Sequence, residues 1–302
     1  MMLHQKHHFK SIKFANTQSL LRNMWTKTST TEGPTVDFGY KDVKYEDKEK
    51  YVGEVFHKVA DNYDLMNDVT SLGIHRLWKQ HFVKSIGPMR KRTILDENNE
   101  PTDQKEPMKI IDVAGGTGDI AFLILEEAKR QRQYSVNAEV DITVSDINSS
   151  MLGVGKDRAQ QRGYNDFKWL EANAESIPEL ENNSFDLYTI AFGIRNVTNR
   201  LNALKEAHRI LKHGGRFMCL EFSEVKVPIF KDIYDVYSMN IIPAMGKIIS
   251  NDSESYQYLA ESIRKFPNQL EFSAMIREAG FSHVTYENMT GGIWAIHSGY
   301  KL

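Results

Sequence analysis

The segment Asp112–Asp119 has the sequence Asp-Val-Ala-Gly-Gly-Thr-Gly-Asp and joins two runs of different pattern. Residues 109–113 have the composition of a buried strand, and residues 120–130 have the apolar spacing of a helix. Glycines in a strand-to-helix turn leave room for a ligand beside the helix N-terminus. The segment therefore predicts a nucleotide-type site, although a tight turn can need glycine without any ligand.

Apolar runs and helical patterns alternate after this turn. Four further strands are predicted at residues 140–144, 167–171, 185–192 and 216–222, with helices at 148–162 and 199–211. This alternation predicts the α/β class, with a doubly wound parallel sheet that helices cover on both faces.

Residues 226–265 interrupt the alternation. An apolar helical stripe runs from Phe230 to Ile241, and we expect Pro243 and Gly246 to end that helix. A helix over 256–264 and another over 272–279 follow. Two strands, at 284–289 and 292–297, close the chain.

Two acids flank the glycine turn and discriminate between ligands. A pyrophosphate at the helix N-terminus would be repelled by Asp112 and Asp119, whereas a sulfonium cation with an amino group would be attracted. The turn thus favours S-adenosylmethionine over NAD. Asp146, at the end of the second strand, is the candidate for the ribose hydroxyls, or alternatively a helix N-cap. Asn173 is the candidate for the adenine edge, or alternatively a turn residue.

The N-terminus differs in composition from the rest of the chain. Residues 1–31 hold Lys, Arg and hydroxyl side chains and no acid, which predicts a mitochondrial transit peptide, with a disordered tail as the alternative. Residues 32–50 are polar and read as a linker. Residues 90–107 read as a charged loop bounded by proline.

Composition excludes several kinds of function. The formal net charge of −2 argues against nucleic-acid binding. The single cysteine, Cys219, excludes an internal disulfide or a cysteine-based zinc site. The histidines have no metal-ligand spacing, so no metal is predicted. No apolar run is long enough to span a membrane.

Five other segments are more specific signals of a protein family than the glycine turn. They are Asn62–Asp68, Ser71–Lys79, Phe192–Val197, Leu220–Ser223 and Ser255–Ile263. Together with Asp112–Asp119 they resemble the ubiquinone/menaquinone biosynthesis C-methyltransferases, from about residue 50 to the C-terminus. The transit-like start makes the fungal mitochondrial members the closest fit.

The resemblance implies a fold and an activity. It implies a class I methyltransferase, Rossmann-like sheet of seven strands, the last antiparallel, in a single domain over 51–302. That domain would comprise N-terminal helices (51–89), a cofactor-binding core (108–225), a helical substrate or lid insertion (226–265) and a C-terminal part (266–302). The implied reaction is methylation of a ring carbon of a polyprenyl methoxy-benzoquinol by S-adenosylmethionine. The alternatives are another phenolic or menaquinone precursor, or a scaffold subunit.

The resemblance also implies the site residues. By resemblance, the expected cofactor contacts are Thr117, Asp146, Asn173 and Ala174. The glycine turn and the end of the second strand add Asp112, Gly116, Gly118 and Ile147. Arg195, Asn196 and Tyr63 are expected to face the reacting ring. We expect Arg195 to stabilise the developing phenolate, with a salt bridge as its alternative role and packing as the alternative for Tyr63. Ala114 and Ala191 depart from the residues frequent in such enzymes.

Location and partners follow from the same resemblance. We expect a peripheral protein on the matrix side of the mitochondrial inner membrane, acting on a polyprenyl quinol. Other ubiquinone-biosynthesis proteins in a membrane-associated complex are expected partners, and a homodimer is a further expectation. The stripe from Phe230 to Ile241 would line the route of the polyprenyl tail or rest on the membrane, with ordinary core packing as the alternative.

Overall fold

The computed structural model describes residues 34–59, 63–95, 100–134, 138–250 and 252–302. The predicted transit peptide over 1–31 lies outside these residues. Among the described residues, no helix has both the length and the apolar content needed to cross a membrane.

The elements in the first half of the chain are β1 (Thr35–Phe38), β2 (Lys41–Lys44), α1 (Tyr45–Val59), α2 (Tyr63–Ser71), α3 (His75–Lys84), β3 (Arg92–Leu95), β4 (Pro101–Glu106), β5 (Met108–Val113), α4 (Asp119–Gln133), β6 (Val140–Asp146) and α5 (Ser149–Gln161). Those in the second half are β7 (Lys168–Glu171), β8 (Phe185–Ala191), a 3-10 turn (Ile194–Asn196), α6 (Arg200–Ile210), β9 (Leu211–Phe222), α7 (Pro228–Val236), a π-helical turn (Tyr237–Ile241), α8 (Ile242–Ser250), α9 (Ser253–Lys265), α10 (Gln269–Glu278), β10 (Ser282–Met289), a second 3-10 turn (Thr290–Gly292) and β11 (Trp294–Tyr300).

Seven strands form the central sheet, in the order β10-β11-β9-β8-β5-β6-β7. β5 is parallel to both of its neighbours, β6 and β8, and β11 is antiparallel to β9 and β10. The predicted seven-stranded sheet with an antiparallel last strand is confirmed. The chain leaves β5 toward β6 and later returns to β8 on the other side, and ligands bind at such a reversal of strand order.

Both faces of the sheet are buried. Ile110 belongs to the apolar cluster under α3 and α4, while its neighbour Ile111 belongs to the cluster under α6 and α10. Successive strand residues point to opposite faces, so a strand with apolar residues at every position is covered twice. Cys219 on β9 is completely buried, as its apolar neighbours predicted.

The linker predicted over 32–50 is wrong for residues 35–50, which form the β1–β2 hairpin and the start of α1. The polar residues there have distant partners that the local composition does not reveal. Asp37 on β1 accepts a hydrogen bond from the Arg200 guanidinium at 3.2 Å and lies 3.7 Å from the Lys48 ammonium. Lys48 is almost completely buried. The Arg200 pair joins the hairpin to the start of α6, and the Lys48 pair joins it to α1.

Two further expectations about local structure are corrected. Within the predicted loop over 90–107, strands β3 and β4 pair antiparallel. Pro243 and Gly246 do not end the insertion helix, because Pro243 comes just after a π-helical turn, in which the backbone hydrogen-bond pattern is shifted, and Gly246 lies inside α8. The helical path continues to Ser250.

Candidate active site

A cleft of about 1110 Å³ lies at the carboxyl ends of the central parallel strands. Its wall contains seven of the eight residues predicted to contact the cofactor, which are Asp112, Gly116, Thr117, Asp146, Ile147, Asn173 and Ala174. The eighth, Gly118, does not line the cleft. It precedes α4 with a φ of 85°, a left-handed conformation that favours glycine. Gly118 therefore shapes the turn and is not part of the cleft wall.

Backbone geometry explains the other glycines of the turn. A Cβ at Gly115 would lie 2.7 Å from the Val144 side chain and 3.0 Å from Oδ2 of Asp112. Gly116 has a φ of 52°, and its N–H donates to the Asp146 carboxylate at 2.9 Å. The turn thus packs directly against the ends of β5 and β6, and its glycines are needed for that approach.

Asp112 is the most deeply buried acid of the cleft. Oδ1 accepts a hydrogen bond from the Thr189 hydroxyl at 2.8 Å, whereas Oδ2 has no hydrogen-bond partner among the described residues. Burial raises the pKa of Asp112 to about 7, and the neighbouring Asp146 carboxylate raises it further against the opposing Thr189 hydrogen bond. An unpartnered buried carboxylate oxygen is costly, and a bound cation would relieve that cost.

Asp146 ends β6 and accepts two backbone N–H groups, from Gly116 at 2.9 Å and from Asn148 at 2.8 Å. Burial raises its pKa to about 6. Asn148, and not Asp146, is the N-cap of α5, because its side chain accepts the N–H of Met151. The capping alternative for Asp146 is therefore wrong, and its carboxylate is held at the cleft by the glycine turn.

The carboxylate of Asp119 is paired with cations of the protein, whereas its place in the sequence suggested that it attracts a cationic ligand. Its carboxylate accepts a hydrogen bond from the Lys79 ammonium at 2.8 Å, and the Arg158 guanidinium lies 3.8 Å away. These cations lower the pKa of Asp119 against the opposing effect of burial. Asp119 is thus charge-paired by α3 and α5, and Asp112 supplies the uncompensated acidity of the turn.

Helix α1 covers the cleft, a role that the sequence analysis did not assign to it. Glu49, Val52, Gly53 and Phe56 line the cleft. The Asn173 amide donates a hydrogen bond to the Glu49 carboxylate at 3.0 Å. A residue predicted to contact the cofactor therefore also holds α1 over the cleft. Val52 and Phe56 were visible as part of an amphipathic stripe, but such a stripe does not say what it covers.

A second cavity, of about 1120 Å³, adjoins the cleft. Its wall is mostly apolar and aromatic. Most of it comes from α2 and α3 on one side and from the 228–265 helices on the other, and residues at strand ends, such as Phe192 and Phe222, complete it. Phe192 and Lys79 line both spaces, so the cleft and the cavity meet at these two residues. A small molecule in the cleft and an apolar one in the cavity would therefore touch.

Arg195 lies in the wall of the apolar cavity, and it is 5% exposed. Its Nη1 donates to the Glu221 carboxylate at 3.1 Å and also to the Phe192 carbonyl. Glu221 is completely buried, and its backbone continues into Phe222, over whose ring the guanidinium lies. Nε of Arg195 has no hydrogen-bond partner among the described residues. Glu221 was part of a quoted sequence segment, but nothing in its spacing predicted this ion pair.

The other two residues predicted to face the ring are Asn196 and Tyr63. Asn196 lines the cofactor cleft, and its side-chain oxygen accepts a hydrogen bond from the Tyr258 hydroxyl at 3.1 Å. Tyr63 begins α2, but its side chain lies outside the described part of the structure. Arg195 and Asn196 are adjacent in the 3-10 turn, so one turn presents a residue to each space.

The donor set fits an organic cation and gives no sign of a metal. Among the described residues, no group of three or more His, Cys, Asp or Glu side chains could hold a metal ion. S-adenosylmethionine fits because its amino group can donate to Oδ2 of Asp112, the buried oxygen that lacks a partner. The fold and this cleft define a class I S-adenosylmethionine-dependent methyltransferase.

Comparison with known proteins agrees with that class and narrows it. The model of the ubiE/COQ5 methyltransferase family matches residues 44–301, and the chain belongs to this family. A rice protein described as "2-methoxy-6-polyprenyl-1,4-benzoquinol methylase, mitochondrial" is 50% identical over 285 residues, covering 91% of each chain. The "Ubiquinone/menaquinone biosynthesis C-methyltransferase UbiE" of Rhizobium etli is 51% identical over 279 residues, covering 92% of this chain and 99% of its own.

Solved structures support the fold alone. A SAM-dependent methyltransferase of Thermotoga maritima has a TM-score of 0.53 and 18% sequence identity, covering 83% of this chain and 100% of its own. The predicted family and fold are thus confirmed. The closer fit to fungal members stays a prediction, since the relatives compared come from a plant and a bacterium.

Proposed function

We propose that this enzyme transfers a methyl group to a ring carbon of a polyprenyl methoxy-benzoquinol in ubiquinone biosynthesis. The observation that carries the proposal is the junction at Phe192 and Lys79, where an apolar cavity with a buried arginine opens onto the cofactor cleft. A ring with ionisable hydroxyls and a long apolar tail suits a cavity of that composition. The description of the rice relative names the same substrate class.

The cofactor contacts follow from the cleft. Oδ2 of Asp112 accepts the amino group of the methyl donor, and Asp146 accepts the ribose hydroxyls beside the Gly116 N–H. Asn173, Ala174 and Ile147 lie on the side of the cleft where β6 and β7 end, and they hold the adenine. When bound, S-adenosylmethionine supplies an electrophilic methyl group on a sulfonium.

Arg195 stabilises the negative charge that develops on a ring oxygen during the transfer. Its guanidinium stays charged at ordinary pH, its Nε is available as a donor, and the low-polarity wall strengthens its field. Asn196 and Tyr63 orient the ring. Holding the ring carbon in line with the methyl group at the junction can lower the barrier by roughly 7–11 kcal/mol.

The outer surface of the insertion suits a membrane. Ile229, Ile233 and Val236 on α7 are 77%, 62% and 59% exposed, and Leu72 beside the cavity is 75% exposed. Ile233 and Leu72 also line the cavity, so exposed apolar side chains surround its mouth. The proposal is that this surface rests on the bilayer and admits the polyprenyl tail.

The proposed location is the matrix side of the mitochondrial inner membrane. The mitochondrial designation of the rice relative and the acid-free start of this chain support the compartment. The complex with other ubiquinone-biosynthesis proteins and the homodimer stay predictions, which analytical ultracentrifugation of the purified protein and of co-expressed partners would test.

Transfer of labelled methyl from S-adenosylmethionine to a demethyl quinol with a short prenyl chain tests the proposed function. The expected result is one labelled methyl group per ring, attached to carbon. An absence of transfer by protein that binds the methyl donor would refute it. Transfer to a ring oxygen, or only to a menaquinone precursor, would replace the proposed substrate and reaction.

A further inference from the structure

His75 is a histidine of the apolar cavity that the mechanism above does not use. It is the first residue of α3, is 7% exposed and lines the cavity. Lys79, at the junction with the cofactor cleft, follows it by one helical turn on the same face of α3. Side chains spaced by four residues lie about 5–6 Å apart at their Cβ atoms. His75 therefore lies one helical turn from the junction, in the wall of the cavity that we propose holds the ring.

The hydrogen bonds around His75 define its tautomer. Oγ of Ser71 lies 2.6 Å from the Asn67 carbonyl oxygen and 2.8 Å from Nδ1 of His75. Ser71 has a single hydroxyl proton, and the shorter contact directs it to the carbonyl, so Nδ1 must donate to Ser71. The Asp68 carboxylate, 3.8 Å from Nδ1, also favours a proton there. Nε2 is then the nitrogen with a free lone pair, and it has no hydrogen-bond partner among the described residues.

We infer that His75 is the general base that accepts the hydroxyl proton of the substrate ring through Nε2. This inference rests on the proposed quinol substrate. Among the described residues that line the cavity, the other titratable side chains are poor acceptors. Lys79 and Arg195 are cations, and burial raises the pKa of Tyr234 and of Tyr237, which keeps both phenols protonated.

The charge around His75 keeps its ring neutral until an anion forms beside it. Burial and then the Lys79 ammonium lower the pKa of His75 to about 4, and Arg76 lowers it as well, against the opposing carboxylates of Asp68 and Asp119. The ring is therefore neutral at physiological pH, which is the form that can take a proton. An adjacent phenolate favours the imidazolium, since an opposite charge stabilises the charged form.

The proton and electron pairs balance. The O–H bond of the ring hydroxyl breaks, its proton goes to Nε2, and its electron pair moves into the ring. The ring carbon forms a bond to the methyl carbon as the carbon–sulfur bond breaks, leaving S-adenosylhomocysteine. The methylated ring then loses its C–H proton and its oxygen regains the proton from His75. One proton per turnover passes to solvent.

The experiment compares His75→Ala and His75→Asn with His81→Ala, an exposed histidine on the same helix that lines neither space. The substrate is the demethyl quinol with a short prenyl chain, and calorimetry follows S-adenosylmethionine binding in each variant. We expect both His75 variants to bind the methyl donor within threefold of wild type. We expect kcat to fall about 10²–10⁴-fold, the usual contribution of a general base. Added imidazole should restore part of the activity of His75→Ala, and His81→Ala should match wild type.

His75→Asn keeps an amide donor near the position of Nδ1 and lacks Nε2, so it separates proton transfer from the Ser71 contact. Wild-type kcat in His75→Asn would overturn the inference, even where His75→Ala fails to fold. Loss of kcat in both variants without imidazole rescue of a folded, donor-binding His75→Ala would also overturn it. An inactive wild type would instead refute the proposed function.

Discussion

The cofactor cleft takes its polar wall from residues at the ends of neighbouring strands, whereas the apolar cavity takes most of its wall from helices near opposite ends of the chain. In the cleft, each key side chain lies next to a strand end, so its position follows from the sheet. In the cavity, α2 and α3 meet the 228–265 helices only through tertiary packing. The difference indicates that binding of the methyl donor and binding of the quinol that accepts the methyl group can be disrupted separately.

The largest expected effect concerns the cavity. Arg195→Ala leaves Glu221 buried without its counter-charge, and breaking a buried ion pair from one side costs about 3–5 kcal/mol. Urea unfolding should show this loss, and the double variant Arg195→Ala/Glu221→Gln should recover most of it while remaining inactive. Recovery of activity together with stability would show that Arg195 serves only the fold.

The next effect concerns the cleft and depends on pH. The pKa of Asp112 is raised to about 7, above its unfolded value, so its protonated form stabilises the native state. That contribution is complete below about pH 4 and is lost as pH rises through 7, on the order of 4 kcal/mol. Asp112→Asn without ligand should therefore gain stability over wild type as pH rises from 4 to 8. An equal difference at both pH values would contradict the raised pKa.

The same substitution should also weaken binding of the methyl donor. Asp112→Asn keeps an acceptor for Thr189 but loses the charge that faces the amino group, so we expect calorimetric affinity for S-adenosylmethionine to fall by about 100-fold. The exposed Asp157→Asn on α5 is the matched control and should bind normally. Affinity within threefold of wild type would exclude Asp112 from the amino-group contact.

The membrane surface predicts a smaller effect. The double variant Ile229→Asp/Ile233→Asp should bind anionic vesicles at least about tenfold more weakly in a sedimentation assay. An isoleucine side chain that moves from water into the bilayer contributes about 1.5–3 kcal/mol to binding. Leu270→Asp removes a similarly exposed apolar residue from α10 and should have little effect. The affinity for S-adenosylmethionine should stay at the wild-type value in both the double variant and Leu270→Asp. Unchanged vesicle binding would place the membrane contact elsewhere.

The smallest expected effect concerns the 3-10 turn Ile194–Asn196, which presents Asn196 to the cofactor cleft and Arg195 to the apolar cavity. Tyr258→Phe removes the hydroxyl that donates to Asn196 and keeps the ring stacked on Phe38. A single neutral hydrogen bond is worth about 1 kcal/mol, so kcat/KM should fall about fivefold. A loss of 100-fold would mean that the Tyr258 hydroxyl itself contacts a substrate.

The sequence was sufficient for features that depend on neighbouring residues. Strand–helix alternation predicted the sheet, and the position of Asp146 at a strand end predicted its place in the cleft. The ion pairs of Asp119 with Lys79 and of Arg195 with Glu221 could not be predicted, because they form between distant segments. Residues 35–50 resemble a linker in sequence, because their charged residues find partners only after the fold brings α6 beside them.

The cavity shows the limit most clearly. The apolar stripe of the insertion was visible, but stripes of that kind pack against many different partners. Only the structure pairs it with α2 and α3, and only there does His75 join Arg195 in one wall. The family resemblance predicted the reaction more specifically than any periodicity could, because its motifs cover both halves of that wall.

A crystal structure with S-adenosylhomocysteine and a short-chain demethyl quinol tests the central claim most directly. We expect the sulfur in the cleft and the ring in the cavity, facing each other across Phe192, with ring oxygens toward Arg195 and His75. A quinol bound outside the cavity, or a ring whose open carbon points away from the sulfur, would contradict it.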